Sequence, residues 1–290
     1  MRAKIVIDVT GISKAVLITG CSTGIGRETA KLLASNGWNV YATARRLESI
    51  EDLGPWGCKL LSLDVTDAES AEAAVRTVSE AERAVGVLIN NAGINELGAI
   101  ETVPLERVKA MFDTNLFGMM RMCQLVLPGM RAQGWGKIVN VGSMNGRFTW
   151  PGMGSYCATK HAIEATSDAL RHEVRPFGID VSLIEPGMVK TTFGNTAAAR
   201  RTTDDGPYGD YNEKVAETAA TWQEGPMAKL ACGPEDVART IMKALDKPRA
   251  RYRVAASAPI MLTTRKLLPD AAFDAFIRSQ FPSPEPAAKG

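Results

Sequence analysis

"LITGCSTGIGRETA", residues 17–30, is the stretch on which the reading of the whole chain turns. Gly20-Cys21-Ser22-Thr23-Gly24 fits G-x-S-x-G, a sharp strand-to-helix turn that presents a nucleophilic serine. Gly20, Gly24 and Gly26 equally form a glycine-rich turn through which a backbone can approach a pyrophosphate. Both motifs need a strand before and a helix after. Ala15-Val16-Leu17-Ile18 supplies the strand, and residues 24 to 36, with Ile25, Leu32 and Leu33 near one face and Asn36-Gly37 as a stop, supply the helix.

The partners of each motif decide between them. A serine nucleophile needs an acid, a histidine and an oxyanion donor from an earlier loop. Only 14 residues precede Ala15, and the two histidines, His161 and His172, both fall inside a predicted long helix rather than at a strand end. A phosphate turn needs only the N–H groups and dipole of the following helix, plus a selective residue after the second strand. That strand, Trp38 to Thr43, runs into Ala44-Arg45-Arg46 where Asp or Glu would take adenosine ribose hydroxyls. A guanidinium there binds a 2′-phosphate by charge-assisted hydrogen bonds, so Arg45 selects NADP(H) over NAD(H); the plain alternative is that both arginines open a solvated loop.

Outward from this turn the chain alternates. Lys59 to Asp64 reads as a strand, residues 67 to 85 as a helix, and Val87 to Ile89 as a strand. A long helical stretch from Leu105 to Arg131 follows, then a strand at Ile138 to Val141, a helix from Ser155 to Arg175 and a strand at Ile179 to Ile184. Short apolar strands joined by amphipathic helices require right-handed crossovers, which gives an α/β fold. Its expected form is a doubly wound parallel sheet of Rossmann type, three layers α/β/α, in one domain spanning residues 1–290. Residues 190–232 lack long periodicity and read as a substrate lid or loop, with Phe193, Tyr208, Tyr211 and Trp222 as apolar surface or core. Residues 259–281 read as an amphipathic tail that packs beside the pocket or a neighbouring subunit, or else touches a membrane. Residues 4–9 read as a further strand or a frayed extension.

Composition narrows the partners. Lys and Arg total 34 against 32 Asp and Glu, so no broad basic surface awaits nucleic acid, and a small ligand is expected. The five cysteines are odd in number and without C-x-x-C spacing, which points to cytoplasmic thiols rather than a disulfide framework or a metal site. No apolar span reaches the length of a membrane helix, and the N-terminus makes a poor signal peptide.

Tyr156 and Lys160 stand four apart, on one face of a predicted helix, so an ammonium can stabilise a phenolate that would otherwise form only near pH 10. With these residues the chain resembles the short-chain dehydrogenase/reductase family. The likeness is carried in order by Thr19-Gly20-x-x-x-Gly24-x-Gly26, Asp64, Asn90-Asn91-Ala92-Gly93, Asn115, Ser143, Tyr156-x-x-x-Lys160 and Pro186-Gly187. It implies a metal-free hydride-transfer oxidoreductase using NADP(H) and acting on an alcohol or carbonyl. Tyr156 would be the acid/base and Ser143 would hold the substrate oxygen. Lys160 would lower the phenol's pKa and hold the nicotinamide ribose, and Asn115 would anchor a water relay. Cofactor contacts implied by the family are Gly20, Ser22, Thr23, Gly24, Ile25, Gly26, Asp64, Val65, Asn91, Ala92, Gly93, Tyr156, Lys160, Pro186, Gly187, Val189 and Thr191, with Ser22 or Thr23 helping at the 2′-phosphate. "TGCSTGIG" and the strand end at Ala44-Arg45 resemble the 17β-hydroxysteroid and retinol dehydrogenase-like branch, which implies an apolar, bulky substrate, and the family implies a homodimer or homotetramer. The rival readings are a non-catalytic NADP(H)-sensing protein and a serine hydrolase built on Ser22.

Overall fold

A computed structural model describes residues 11–203, 206–221 and 226–284; the strand expected at 4–9 and Trp222 lie outside them. Seven parallel strands are ordered β3-β2-β1-β4-β5-β6-β7: β1 Val16–Ile18, β2 Val40–Ala44, β3 Lys59–Ser62, β4 Val87–Asn90, β5 Gly136–Val141, β6 Ile179–Pro186 and β7 Arg251–Val254. Strand order reverses between β1 and β4, and the registers Val16↔Val40 and Val16↔Val87 place β1 between β2 and β4. The crevice at such a switch point, beyond the carboxyl ends of the strands, is where a doubly wound sheet binds ligands.

The alternation of β1 shows why helices cover both faces. Val16 and Ile18 face a core shared with Ala30 and Leu33 of α1 (Gly24–Ser35) and with Val237, Ile241 and Leu245 of α8 (Pro234–Asp246). Leu17 faces the opposite core, with Val75 and Val78 of α2 (Ala68–Glu82) and Met122 and Val126 of α4 (Gly118–Gln133). α1 stops where Gly37 takes a φ of +80°, and Asp67 caps α2 by accepting the Ser70 N–H at 3.1 Å.

Three stretches depart from the expected pattern. The single helix expected from Leu105 to Arg131 is two, α3 (Leu105–Phe112) and α4, joined by a π turn at Asp113–Phe117 in which the Gly118 N–H reaches back five residues to Asp113. Residues 190–232 are more helical than expected, with α6 (Phe193–Ala199), α7 (Gly209–Thr221) and a short 3₁₀ turn at Pro226–Leu230. The tail is two helices, α9 (Ser257–Leu267) and α10 (Asp270–Gln280). Their Ala258, Met261, Leu262, Phe273 and Ile277 pack on Met144 and Phe148, beside the pocket rather than away from it.

Candidate active site

The Gly20 turn leaves β1 and is tied to the turn after β4. Thr19 Oγ1 accepts the N–H groups of Asn91 and Ala92, both at 3.0 Å, and Asn91 Nδ2 donates to the carbonyls of Thr19 and Gly20 at 3.0 and 2.9 Å. Gly20 has a φ of +74°, and a Cβ there would stand 2.9 Å from Ala92 Cα, so side chains are excluded on geometric grounds. A Cβ on Gly26 would stand 2.4 Å from the Gly20 carbonyl oxygen. Thr23 precedes α1 without a side-chain cap, and this uncapped helix start, Thr23 to Ile25, lines the crevice.

One cleft of about 950 Å³ runs from this turn to the tail. Almost every residue expected at the cofactor lines it: Gly20, Ser22, Thr23, Gly24, Ile25, Arg45, Asp64, Val65, Asn91, Ala92, Gly93, Pro186, Gly187, Val189 and Thr191. Gly26 does not. It is a packing glycine that lets α1 approach the Gly20 turn. Arg46 does not line the cleft either, so the two arginines are distinguished. A nicotinamide dinucleotide fits these residues: a glycine-rich cradle for the pyrophosphate, a helix start without a side-chain cap beside it, and a guanidinium just past the end of β2.

The catalytic constellation sits at the other end. The 3₁₀ turn Met144–Gly146 follows β5, and Ser143 caps it by accepting the Asn145 N–H at 3.1 Å. α5 (Gly154–Val174) carries Tyr156 and Lys160, and the Ser143 side chain stands near enough to the phenol to favour its ionised form. The three side chains line the cleft and are all buried. Lys160 Nζ donates to the Val141 carbonyl at 3.0 Å and lies 5.6 Å from the Tyr156 ring centroid. Burial therefore governs both groups. It raises the Tyr156 pKa, helped by Cys157 and opposed by Ser143, and it pushes Lys160 down to about 8. Burial is the leading cause of the Tyr156 shift in the chain by itself, and Lys160 is not among its causes.

Asn115 stands behind the cleft rather than in it. From the π turn its Oδ1 accepts the Ile94 N–H at 2.8 Å, and its Nδ2 donates to the Ile94 carbonyl at 2.9 Å and to Thr159 Oγ1 at 3.1 Å. Thr159 donates to the Tyr156 carbonyl at 2.7 Å, so Asn115 couples the segment after β4 to the helix of the phenol. A π turn at this point is in keeping with where such turns recur.

The lid side is apolar. Phe193 opens α6 with its ring 5.9 Å from that of Tyr156, and Trp150, Met188, Met261, Phe276 and Phe281 complete the wall. Tyr208 and Tyr211 do not reach this cleft; they belong to a satellite core with Leu97 and Val215. Sequence reasoning missed Asn95, Asn145 and the buried Glu96, which Arg107 and Arg200 both pair. Nothing in their spacing distinguishes them from turn residues. His161 and His172 are exposed on α5 and neither lines the cleft, so neither serves Ser22 as a base.

Comparison with known proteins agrees with this geometry. The family model of the short chain dehydrogenases matches residues 14–202. A probable short-chain type dehydrogenase/reductase of Helicobacter pylori is 34% identical over 265 residues, 90% of this chain and 96% of its own length. Human 17-beta-hydroxysteroid dehydrogenase type 1 is 34% identical over 271 residues, 88% of this chain and 78% of its own. The closed form of a serine dehydrogenase complexed with NADP+ superposes with a TM-score of 0.72 at 27% identity, covering 83% of this chain and 94% of the other. A glycine cradle at the switch point, a serine, tyrosine and lysine on one cleft, and matches over most of the chain lead to one conclusion: this chain belongs to the short-chain dehydrogenase/reductase family and is an oxidoreductase of that family.

Proposed function

We propose that the chain interconverts a secondary alcohol and a ketone, or an alcohol and an aldehyde, on an apolar substrate, using NADP(H). The observation that carries this reading is the single cleft in which Ser143, Tyr156 and Lys160 face an apolar lid at one end and Arg45 with the Gly20 turn lies at the other. Gly20, Ser22, Thr23, Gly24, Ile25 and Arg45 would hold the diphosphate and adenosine side; Asp64, Val65, Asn91, Ala92 and Gly93 the adenosine; and Pro186, Gly187, Val189 and Thr191 the nicotinamide side. Bound there, the cofactor supplies or takes up hydride at nicotinamide C4.

The chain's own residues handle the oxygen. Ser143 Oγ donates a hydrogen bond to the substrate oxygen and fixes it beside the phenol. In reduction Tyr156 gives its proton to that oxygen, a task that suits a phenol kept protonated by burial; in oxidation it accepts the alcohol proton. Lys160 holds the nicotinamide ribose hydroxyls and stabilises the phenolate. Asn115 keeps the Tyr156 helix in register, and a water relay toward solvent is assigned to its neighbourhood. α6 and α7 serve as the substrate lid on one domain with the sheet. Among the described residues no helix is long and apolar enough to cross a membrane, and every cysteine is unpaired, which supports a reducing, cytoplasmic setting. A homodimer or homotetramer through α4 and α5 is the matching assembly, to be read by light scattering.

The test is a panel of ketones, aldehydes and secondary alcohols followed at the nicotinamide absorbance with NADPH, NADH and their oxidised forms. Turnover of apolar carbonyls, faster with NADPH, is expected. Tight NADPH binding with no turnover anywhere on the panel would favour a cofactor-sensing protein instead.

A further inference from the structure

The wall of the cleft contains two buried polar atoms with nothing to bond among the described residues. Asn145 Oδ1 and Asn95 Oδ1 have no hydrogen-bond partner, although their side chains are only 6% and 5% exposed and both residues line the cleft. A buried amide oxygen left unpaired costs about 1–3 kcal/mol, so such atoms in a binding cleft mark where a ligand supplies the missing donor. Asn145 is two residues past Ser143 and in the same 3₁₀ turn, its N–H donating to Ser143 Oγ, so its side chain belongs to the immediate surroundings of the reacting oxygen. Asn95 lies on the segment whose Ile94 backbone is clamped by Asn115. The neighbouring acceptor, Glu96, is already taken by Arg107 and Arg200, which leaves the two amides as the open acceptors on this wall.

We infer that the substrate is an amphipathic ketone carrying a hydrogen-bond donor, a hydroxyl or amine, near the carbonyl, with Asn145 as the principal acceptor and Asn95 as the second. The rest of the substrate is apolar where it meets Trp150, Met188, Met261, Phe276 and Phe281, which line the same cleft. Asn145 and Asn95 then determine specificity, while Ser143 and Tyr156 act on any carbonyl. This inference rests on the ketone reductase reading above and names its substrate class.

The experiment compares kcat/KM with NADPH for 2-dodecanone, 1-hydroxy-2-dodecanone and 1-hydroxy-3-dodecanone, with the two methyl ethers as controls that accept but do not donate. Wild-type protein is expected to prefer one of the hydroxy ketones by at least about tenfold over both the unsubstituted ketone and the ether. That ratio should fall toward one in Asn145→Leu, and in Asn95→Leu, which carries the test should Asn145→Leu not fold. Equal kcat/KM for all the ketones, an ether preferred to its alcohol, or a preference that survives in both variants would overturn the inference alone. Turnover of none of them would contradict the parent reading and this one with it.

Discussion

Tyr156 and Lys160 sit one helical turn apart, and both are displaced from their ordinary titration by the same cause, loss of water. The spacing was legible in the sequence because a four-residue interval on a helix fixes a common face. The direction of the phenol's shift was not, because Tyr156 is buried partly by Met111 and Ile94, with the ring of Phe193 beside it, all distant in sequence. The glycine turn was legible for a similar reason, since close backbone approach at Gly20 leaves glycine as its signature, whereas Ser143 was read only through the family resemblance. Asn95 and Asn145 were not, since an asparagine in a turn carries no mark of which way its amide points. Arg45 makes a prediction at this scale. Arg45→Asp places a carboxylate beside the 2′-phosphate, so NADPH affinity should fall by roughly 10- to 100-fold while NADH is nearly unaffected. Fluorescence titration with each nucleotide checks it, and an unchanged preference would remove Arg45 from the role.

Elements position what residues supply. The helix start after Gly20 and the strand end at Arg45 were readable from apolar runs, whereas the π turn was not, because inserting one extra residue per turn leaves the hydrophobic pattern of Leu105 to Arg131 nearly intact. Neither α8 nor β7 was anticipated. β7 is short and charged, Arg251-Tyr252-Arg253-Val254, because its arginines serve a buried cluster. Arg251 pairs Glu164 of α5 at 2.9 Å, Asp168 at 2.5 Å and Glu185 of β6 at 3.5 Å, while Arg253 pairs Glu185 at 3.3 Å. Arg147, just past the serine turn, reaches Glu164 at 3.5 Å and Glu185 at 3.9 Å, and Arg171 pairs Asp168 at 2.6 Å. Burial first, and then the adjacent Glu185, raise the Glu164 pKa to about 7. The native state thus holds a proton that the unfolded chain releases near pH 4.5, so this group's contribution is fully present below that and is lost as pH rises through about 7. Denaturant melts of wild type should show stability falling between about pH 5 and 7, and the same series in Glu164→Gln should be flatter. Equal slopes would place the titration elsewhere. At the lid, Phe193→Ala removes the ring that lies against Tyr156, and KM for apolar ketones should rise roughly 10-fold with kcat less affected. A loss confined to kcat would instead give Phe193 a part in the chemistry.

The whole molecule places a cradle and an acid at two ends of one cleft, and its topology explains why. Strand order reverses between β1 and β4, which opens the crevice into which the Gly20 and Asn91 turns project, and β5 delivers Ser143 on the same edge. That parallel architecture was legible from strand and helix alternation alone. The closure of the cleft was not, since α6, α7, α9 and α10 are held by small satellite clusters rather than by the sheet. The central claim is that Tyr156 moves the proton in an NADPH-dependent carbonyl reduction. The most direct measurement is turnover of an apolar ketone by wild type and Tyr156→Phe, with NADPH affinity determined for both. Wild type should consume NADPH, and the variant should lose at least about 100-fold in kcat while binding the nucleotide within a few-fold of wild type. A Tyr156→Phe protein that retains most of the wild-type rate would contradict the account.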